Sequence, residues 1–152
     1  MPAQPSSSSV DLPCVCGRLR RAARALTQLY DDAMAETGLR VTQFSLLRTL
    51  HSRGPQRITE LAAIMLLDRT ALSRNLDPLA QRKLVTVVPG HDARKREVSL
   101  TRQGIAALAA AAPHWERAQR EVARRIGRER LDGLYEVLRD MEALHPTPGA
   151  TA

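Results

Sequence analysis

Aromatic side chains are scarce in this sequence: one Trp, one Phe and two Tyr make up 3% of its 152 residues. RNA-binding modules expose rings on which bases stack, and so few rings leave little for such a surface. Cysteine is rarer still, with Cys14 and Cys16 alone and only two positions apart. Such a pair cannot staple a domain, so a reducing, cytoplasmic setting is expected. No apolar run approaches the roughly 20 residues of a membrane span. The opening MPAQPSSSSV carries neither the basic nor the apolar stretch of a secretory signal. The four histidines (His51, His91, His114 and His145) are scattered and have no metal-ligand spacing among themselves or with the cysteines. A Gly-rich phosphate loop and a nucleophile elbow are both missing. These absences argue against an enzyme, a metal site, a bound cofactor and a membrane protein.

What remains is a helical, basic chain. Hydrophobic residues make up 43% of it, enough to bury a core, and the dominance of Ala and Leu favours helices over a sandwich or barrel. The net charge of +7 is unevenly spread: residues 1–54 hold seven basic and four acidic side chains, 55–104 nine and five, and 105–152 seven of each. A positive first two thirds on a neutral remainder suits a polyanion-binding face joined to a scaffold. A generally basic, solvated surface would give the same totals.

Residues 1–10 are Pro- and Ser-rich and are expected to be a disordered tail, as are residues 146–152. Between Pro13 and about Glu36, the residues Val15, Leu19, Ala22, Leu26, Leu29 and Ala33 form a heptad-like seam, with Arg18, Arg21 and Arg24 outside it. Gly38 should end this helix. A second helix is expected from about Thr42 to Ser52 and a short third over RITELAAIML. A fourth, RTALSRNLDPLAQRK, should be N-capped by Asp68. Leu84–Val88 and Glu97–Leu100 read as an antiparallel pair with one buried face. Thr101 then starts a long helix in which Ile105, Leu108, Ala112, Trp115, Gln119, Val122 and Ile126 keep a steady period across Pro113, predicting a kink there and no break. After Gly127 a last helix presents Leu131, Leu134, Leu138 and Met141.

On the fourth helix Leu72, Leu76 and Leu79 fall on one face, and Arg69, Thr70, Ser73, Arg74 and Asp77 on the other. Arg can bond guanine through two hydrogen bonds, Thr and Ser can take base edge or phosphate, and short side chains allow close approach to a major groove. A solvated amphipathic face has the same pattern. The preceding helix, joined through the tight connection Leu66-Leu67-Asp68, makes the pair a helix–turn–helix. The segment VVPGHDARKREVSL (87–100) then places Arg94, Lys95 and Arg96 beside the hairpin turn. Cations there gain affinity by displacing counterions from phosphates, and an Arg can enter a narrow minor groove. The hairpin reads as a wing.

The helix pair ITELAAIMLLDRTALSRNLDPLAQRKLV and the wing DARKREVSLTRQG closely resemble the MarR family of transcription regulators. Asp92, Arg94, Val98, Leu100, Thr101 and Gly104 occupy the family's D-x-R…V-x-L-T-x-x-G positions, and residues 12–144 follow its order of elements. The resemblance implies a mainly α, winged helix–turn–helix fold: residues 38–104 as the DNA-binding region, and 11–37 with 105–145 as a helical dimerisation region. It implies a homodimer on a pseudo-palindromic duplex operator, usually a repressor released by a small-molecule effector or an oxidant. Arg94 would be the minor-groove residue and Asp92 would orient the wing. Thr70, Ser73 and Arg74 would face the major groove, with Arg69, Lys95 and Arg96 as further contacts. Two positions depart from the pattern. Leu66 stands where the turn commonly has Gly, and Pro78 removes one backbone hydrogen bond from the reading helix. The heptad seams fit the same scheme, since a partner would cover them, although an intramolecular bundle would also do so.

Cys14 and Cys16 are candidate redox-sensing residues. PCVCGRLRR starts a helix, with Pro13 expected in its first turn, so a thiol there faces the positive end of the helix dipole. Packing of these thiols in a dimer core is the competing reading. The competing function is a basic helical protein that binds RNA or an anionic membrane surface without specificity.

Overall fold

The computed structural model describes residues 13–89 and 96–145. The Pro- and Ser-rich start, the tail from residue 146, and the hairpin tip with Asp92, Arg94 and Lys95 lie outside the described residues. Six α-helices and three strands follow in the order α1 (Val15–Met34), α2 (Val41–Arg53), β1 (Gln56–Arg57), α3 (Ile58–Ile64), α4 (Arg69–Gln81), β2 (Val85–Pro89), β3 (Arg96–Leu100), α5 (Arg102–Ile126) and α6 (Arg128–Glu142).

The apolar period predicts these helices because each stripe has a partner. Leu72, Leu76 and Leu79 of α4 are buried against Phe44, Leu46, Leu47 and Leu50 of α2 and Leu61 of α3, with Val85 and Val98 of the sheet closing the core. Fully burying one such side chain contributes about 1.5–3 kcal/mol. A 3-10 turn, Ala35–Thr37, ends α1 at Gly38, whose φ of 68° is a left-handed geometry that glycine adopts without strain. Helix α5 runs through Pro113 without ending, as its unbroken period requires.

Three sequence expectations need correction. The wing is part of a three-stranded antiparallel sheet in the order β1-β3-β2, not a two-stranded hairpin. Gln56 pairs with Val98 and Arg57 with Glu97, so Arg57 belongs to a strand and α3 begins one residue later. Strand β2 starts at Val85 and runs to Pro89, opposite Arg96, because Leu84 is a buried turn residue whose carbonyl is taken up by α5. Finally, Pro13 precedes the cap of α1 instead of sitting in its first turn. Cys14 is the N-cap, with its Sγ accepting from the Gly17 amide at 3.4 Å.

The foot of α5 is the tightest junction in the fold. Thr101 caps the helix by accepting from the Gly104 amide at 2.9 Å, and its hydroxyl donates to the Lys83 carbonyl at 2.6 Å. The Thr101 amide donates to the Leu84 carbonyl at 3.1 Å. A Cβ on Gly104 would lie 2.0 Å from that same carbonyl oxygen and 3.0 Å from Leu100 Cδ2. Only glycine fits, since the obstruction is backbone held by a hydrogen bond. Gly104→Ala is expected to destabilise the protein by about 2 kcal/mol or more, as overpacking of a rigid site does. Urea unfolding of the two proteins checks this, and an unchanged midpoint would contradict it.

Candidate nucleic-acid interface

The candidate interface comprises α3, its turn and α4. Within the turn Leu66 has φ 50°, a left-handed conformation that costs a side-chain-bearing residue roughly 1–2 kcal/mol. The turn is held by backbone bonds from Leu66 to Ala63 (3.2 Å) and from Leu67 to Ala62 (2.9 Å). Leucine therefore takes here the geometry that glycine would supply, and the tight connection survives its substitution. Asp68 then caps α4 by accepting from the Ala71 amide at 2.8 Å, which satisfies one of the free amides at the helix start.

Rotation along α4 puts Arg69, Ser73 and Asp77 in one row four residues apart, with Thr70 and Arg74 in the next. All five are exposed, while Leu72, Leu76 and Leu79 on the opposite face are buried. The Asp68 side chain accepts from the helix's own backbone and the Asn75 side chain donates to it. Among the described residues no side-chain hydrogen bond reaches the five exposed side chains. An exposed strip carrying two guanidinium groups and two hydroxyls thus has no side-chain hydrogen-bond partner among the described residues. Helix α4 continues past Pro78 to Gln81, so the missing amide falls beyond this strip.

Arg96 opens β3, is exposed and pairs in register with Pro89. It is the one member of the basic trio within the described residues. Val98 is buried between α2, α3 and the neighbouring strands and anchors the wing. Arg57 is exposed at the start of α3, where its amide donates to Glu60 at 3.3 Å. Sequence reasoning passed over it because a two-residue strand carries no pattern.

Three further groups were missed. The one Phe and the one Trp stack with ring centroids 5.7 Å apart, and the Arg48 guanidinium sits 4.6 Å above the Trp115 ring. They line a cleft of about 360 Å³ between α2 and α5, with His51 and Glu116 also on its wall. Both tyrosines converge on Gln119, which accepts from Tyr30 of α1 and donates to Tyr135 of α6 at 3.0 Å. Burial, and then the neighbouring Tyr135, push the Tyr30 hydroxyl's pKa above its ordinary value. Asp31 of α1 accepts from the Val41 amide at 2.7 Å and so caps α2 from another element. None of these pairings is periodic, so pattern reading had no means of finding them.

No cluster of His, Cys, Asp or Glu among the described residues could hold a metal ion. No described helix is long and apolar enough to cross a membrane.

Comparison with known proteins gives concordant results. The MarR family model matches residues 39–96, which span α2 to the start of β3. The transcriptional regulator MosR of M. tuberculosis, solved in complex with DNA, is 38% identical with a TM-score of 0.76, over 88% of this chain and 100% of that one. The transcriptional repressor CouR, bound to a 23-mer DNA duplex, is 26% identical with a TM-score of 0.76, over 84% and 92%. Bordetella bronchiseptica BpsR shares the fold at 22% identity and a TM-score of 0.75, over 94% and 99%. No curated protein sequence matches this chain. With its helix–turn–helix, its wing and these likenesses over nearly its whole length, the chain belongs to the MarR family.

Proposed function

We propose that this protein is a DNA-binding transcriptional regulator that acts as a homodimeric repressor on a pseudo-palindromic operator. The observation that carries the reading is the exposed strip on α4, with two arginines and two hydroxyls that no described side chain engages, followed in the sequence by a basic wing. MosR and CouR, each solved with DNA, support it. Residues 38–104 form the reading head, and residues 11–37 with 105–145 the dimerisation region. Arg74, Thr70 and Ser73 meet base edges in the major groove, with Arg69 at its margin. Arg94 enters the minor groove, Asp92 orients it, and Lys95 and Arg96 neutralise phosphates.

The dimer is supported by faces that one chain leaves open. Helix α1 buries only Met34 and helix α6 only Leu131, while Val15, Tyr135 and Val137 remain exposed. The first sixteen residues of α1 carry Arg18, Arg20, Arg21 and Arg24 and no acid, whereas α6 carries five acids against three arginines. Two copies that lay α1 of one against α6 of the other would cover apolar stripes and pair opposite charges.

Two routes to release are open. A small aromatic anion fits the cleft between α2 and α5, with Phe44 and Trp115 as the apolar wall and Arg48 as the cationic group at its rim. In the oxidative route a hydroperoxide converts one thiol of Cys14 or Cys16 to a sulfenic acid, releasing an alcohol. A second thiol then condenses with it to a disulfide, releasing water. Both thiols are exposed. A Cys14–Cys16 bond would require the first turn of α1 to unwind, so a bond between subunits or a mixed disulfide with a small thiol is the easier product.

The duplex test separates the roles. Arg74→Ala should lose about 1–3 kcal/mol and relax specificity at one base pair. Arg94→Ala should weaken all duplexes and flatten the salt dependence. Equal, sequence-independent losses would contradict these roles, and equal binding to single strands or liposomes would return the non-specific reading. For release, hydroperoxide should lower operator affinity on the order of tenfold in the unmutated protein, and not in Cys14→Ser or Cys16→Ser. Unchanged affinity in the unmutated protein would assign release to the cleft.

A further inference from the structure

The reading head joins the two long helices at two chain crossings, and each is braced by a side chain. At the crossing into α5 the brace is Thr101, bonded to the Lys83 carbonyl at the end of α4. At the crossing from α1 to α2 the brace comes from α4 itself. Arg82, its C-cap residue, reaches across 44 positions and donates from Nη1 to the Gly38 carbonyl at 2.7 Å. The guanidinium lies flat against Gly38, so that a Cβ there would be 3.6–3.9 Å from Nη2, Nη1 and Cζ. The same loop is tied back to α1 by Asp31, which accepts from the Val41 amide and pairs with Arg40 at 3.4 Å. Thr37 closes it from within, donating to the Met34 carbonyl at 2.7 Å.

We infer that Arg82 is a positioning residue for DNA binding: it locks the end of the reading helix to the α1–α2 loop and so sets the separation of the two reading helices in the dimer. The physical argument is one of constraint. A body tied at one point can pivot about it in any direction, and a second tie leaves it only rotation about the line between the two. Helix α4 is packed into the reading head by Leu72, Leu76 and Leu79, so with Thr101 and without Arg82 the head can tilt about the foot of α5. With Arg82 bonded to Gly38, the end of α4 is also fixed to α1, and through α1 to the other subunit. Small rotations matter because half-sites about one helical turn apart, roughly 10 bp, are read in phase only if both helices keep their angle. The bond is short, made by a charged donor, and satisfies a carbonyl beyond the end of α1. Arginine is suited to the task because its planar fork can lie on the glycine face while one nitrogen donates.

This inference rests on the dimeric DNA-binding reading, and the experiment keeps the two apart. The probe is a duplex operator recovered by in vitro selection with the full-length protein, together with derivatives carrying one base pair inserted or removed between the half-sites. The unmutated protein should lose on the order of tenfold or more in affinity with either derivative, because the half-sites then fall out of phase. Arg82→Ala should bind the parent duplex less tightly yet discriminate among the three by less than about threefold, with an unchanged salt slope. Arg82→Met is the second variant. Met keeps an unbranched apolar stem but has no N–H to donate to the Gly38 carbonyl, so it should relax spacing in the same way. Thermal unfolding confirms that each variant is folded. If folded Arg82→Ala keeps the unmutated discrimination, the clasp is overturned. If it lowers the salt slope by about one phosphate's worth, Arg82 is a backbone contact and the inference is equally overturned. If the unmutated protein ignores the spacing, the dimeric reading falls and the clasp with it.

Discussion

The fold turns on one close approach, the first turn of α5 against the backbone at the end of α4. Thr101 and Gly104 meet Lys83 and Leu84 there without an intervening side chain. This contact joins the start of the long helix α5 to the end of α4. It also fixes where the wing starts, because Val85 follows Leu84 and pairs with Leu100 next to the helix cap. A larger residue at 104 would push these apart, and sheet, reading helix and long helix would lose their common reference.

The rest of the chain divides by how completely it satisfies itself. The reading head is finished: Leu47, Leu61, Leu72, Leu79 and Val98 are fully buried. The long helices are not. Apolar side chains on α1 and α6 remain in water, and the polar contacts that hold them, Tyr30–Gln119–Tyr135 and Arg117 to the Ala33 carbonyl at 2.9 Å, fix helix register more than they bury area. Near the end of α5, Arg124 and Arg125 hydrogen-bond Glu121 and hold its carboxyl at about 2, far below the usual carboxylate range. The region is thus charged, and within one chain it leaves apolar side chains in water.

Much of this was legible in the sequence, for an identifiable reason. Leu72, Leu76 and Leu79 announce α4 because helix geometry forces a period on whatever faces a core. Asp68 announces its start because a free amide needs an acceptor, and Val98 with Leu100 announces a strand because alternate residues share a face. The illegible parts have no period. Gln56–Arg57 is a strand only because β3 passes beside it. Leu66 takes a left-handed φ because the connection around it demands one, against its own preference. Arg82 reaches Gly38 across a separation that no local pattern encodes. The exposed strip on α4 was found because its residues are adjacent on a helix, and the clasp behind it was missed because its residues are not.

The central claim is that two copies of this chain, joined through α1, α5 and α6, present two α4 helices to one face of a duplex. Hydroxyl-radical footprinting on a selected operator, with light scattering of the same free protein at micromolar concentration, tests it most directly. The account predicts a particle of twice the chain mass and two protected segments on one face of the duplex, roughly 10 bp apart centre to centre. A monomer in solution that protects a single segment would contradict it.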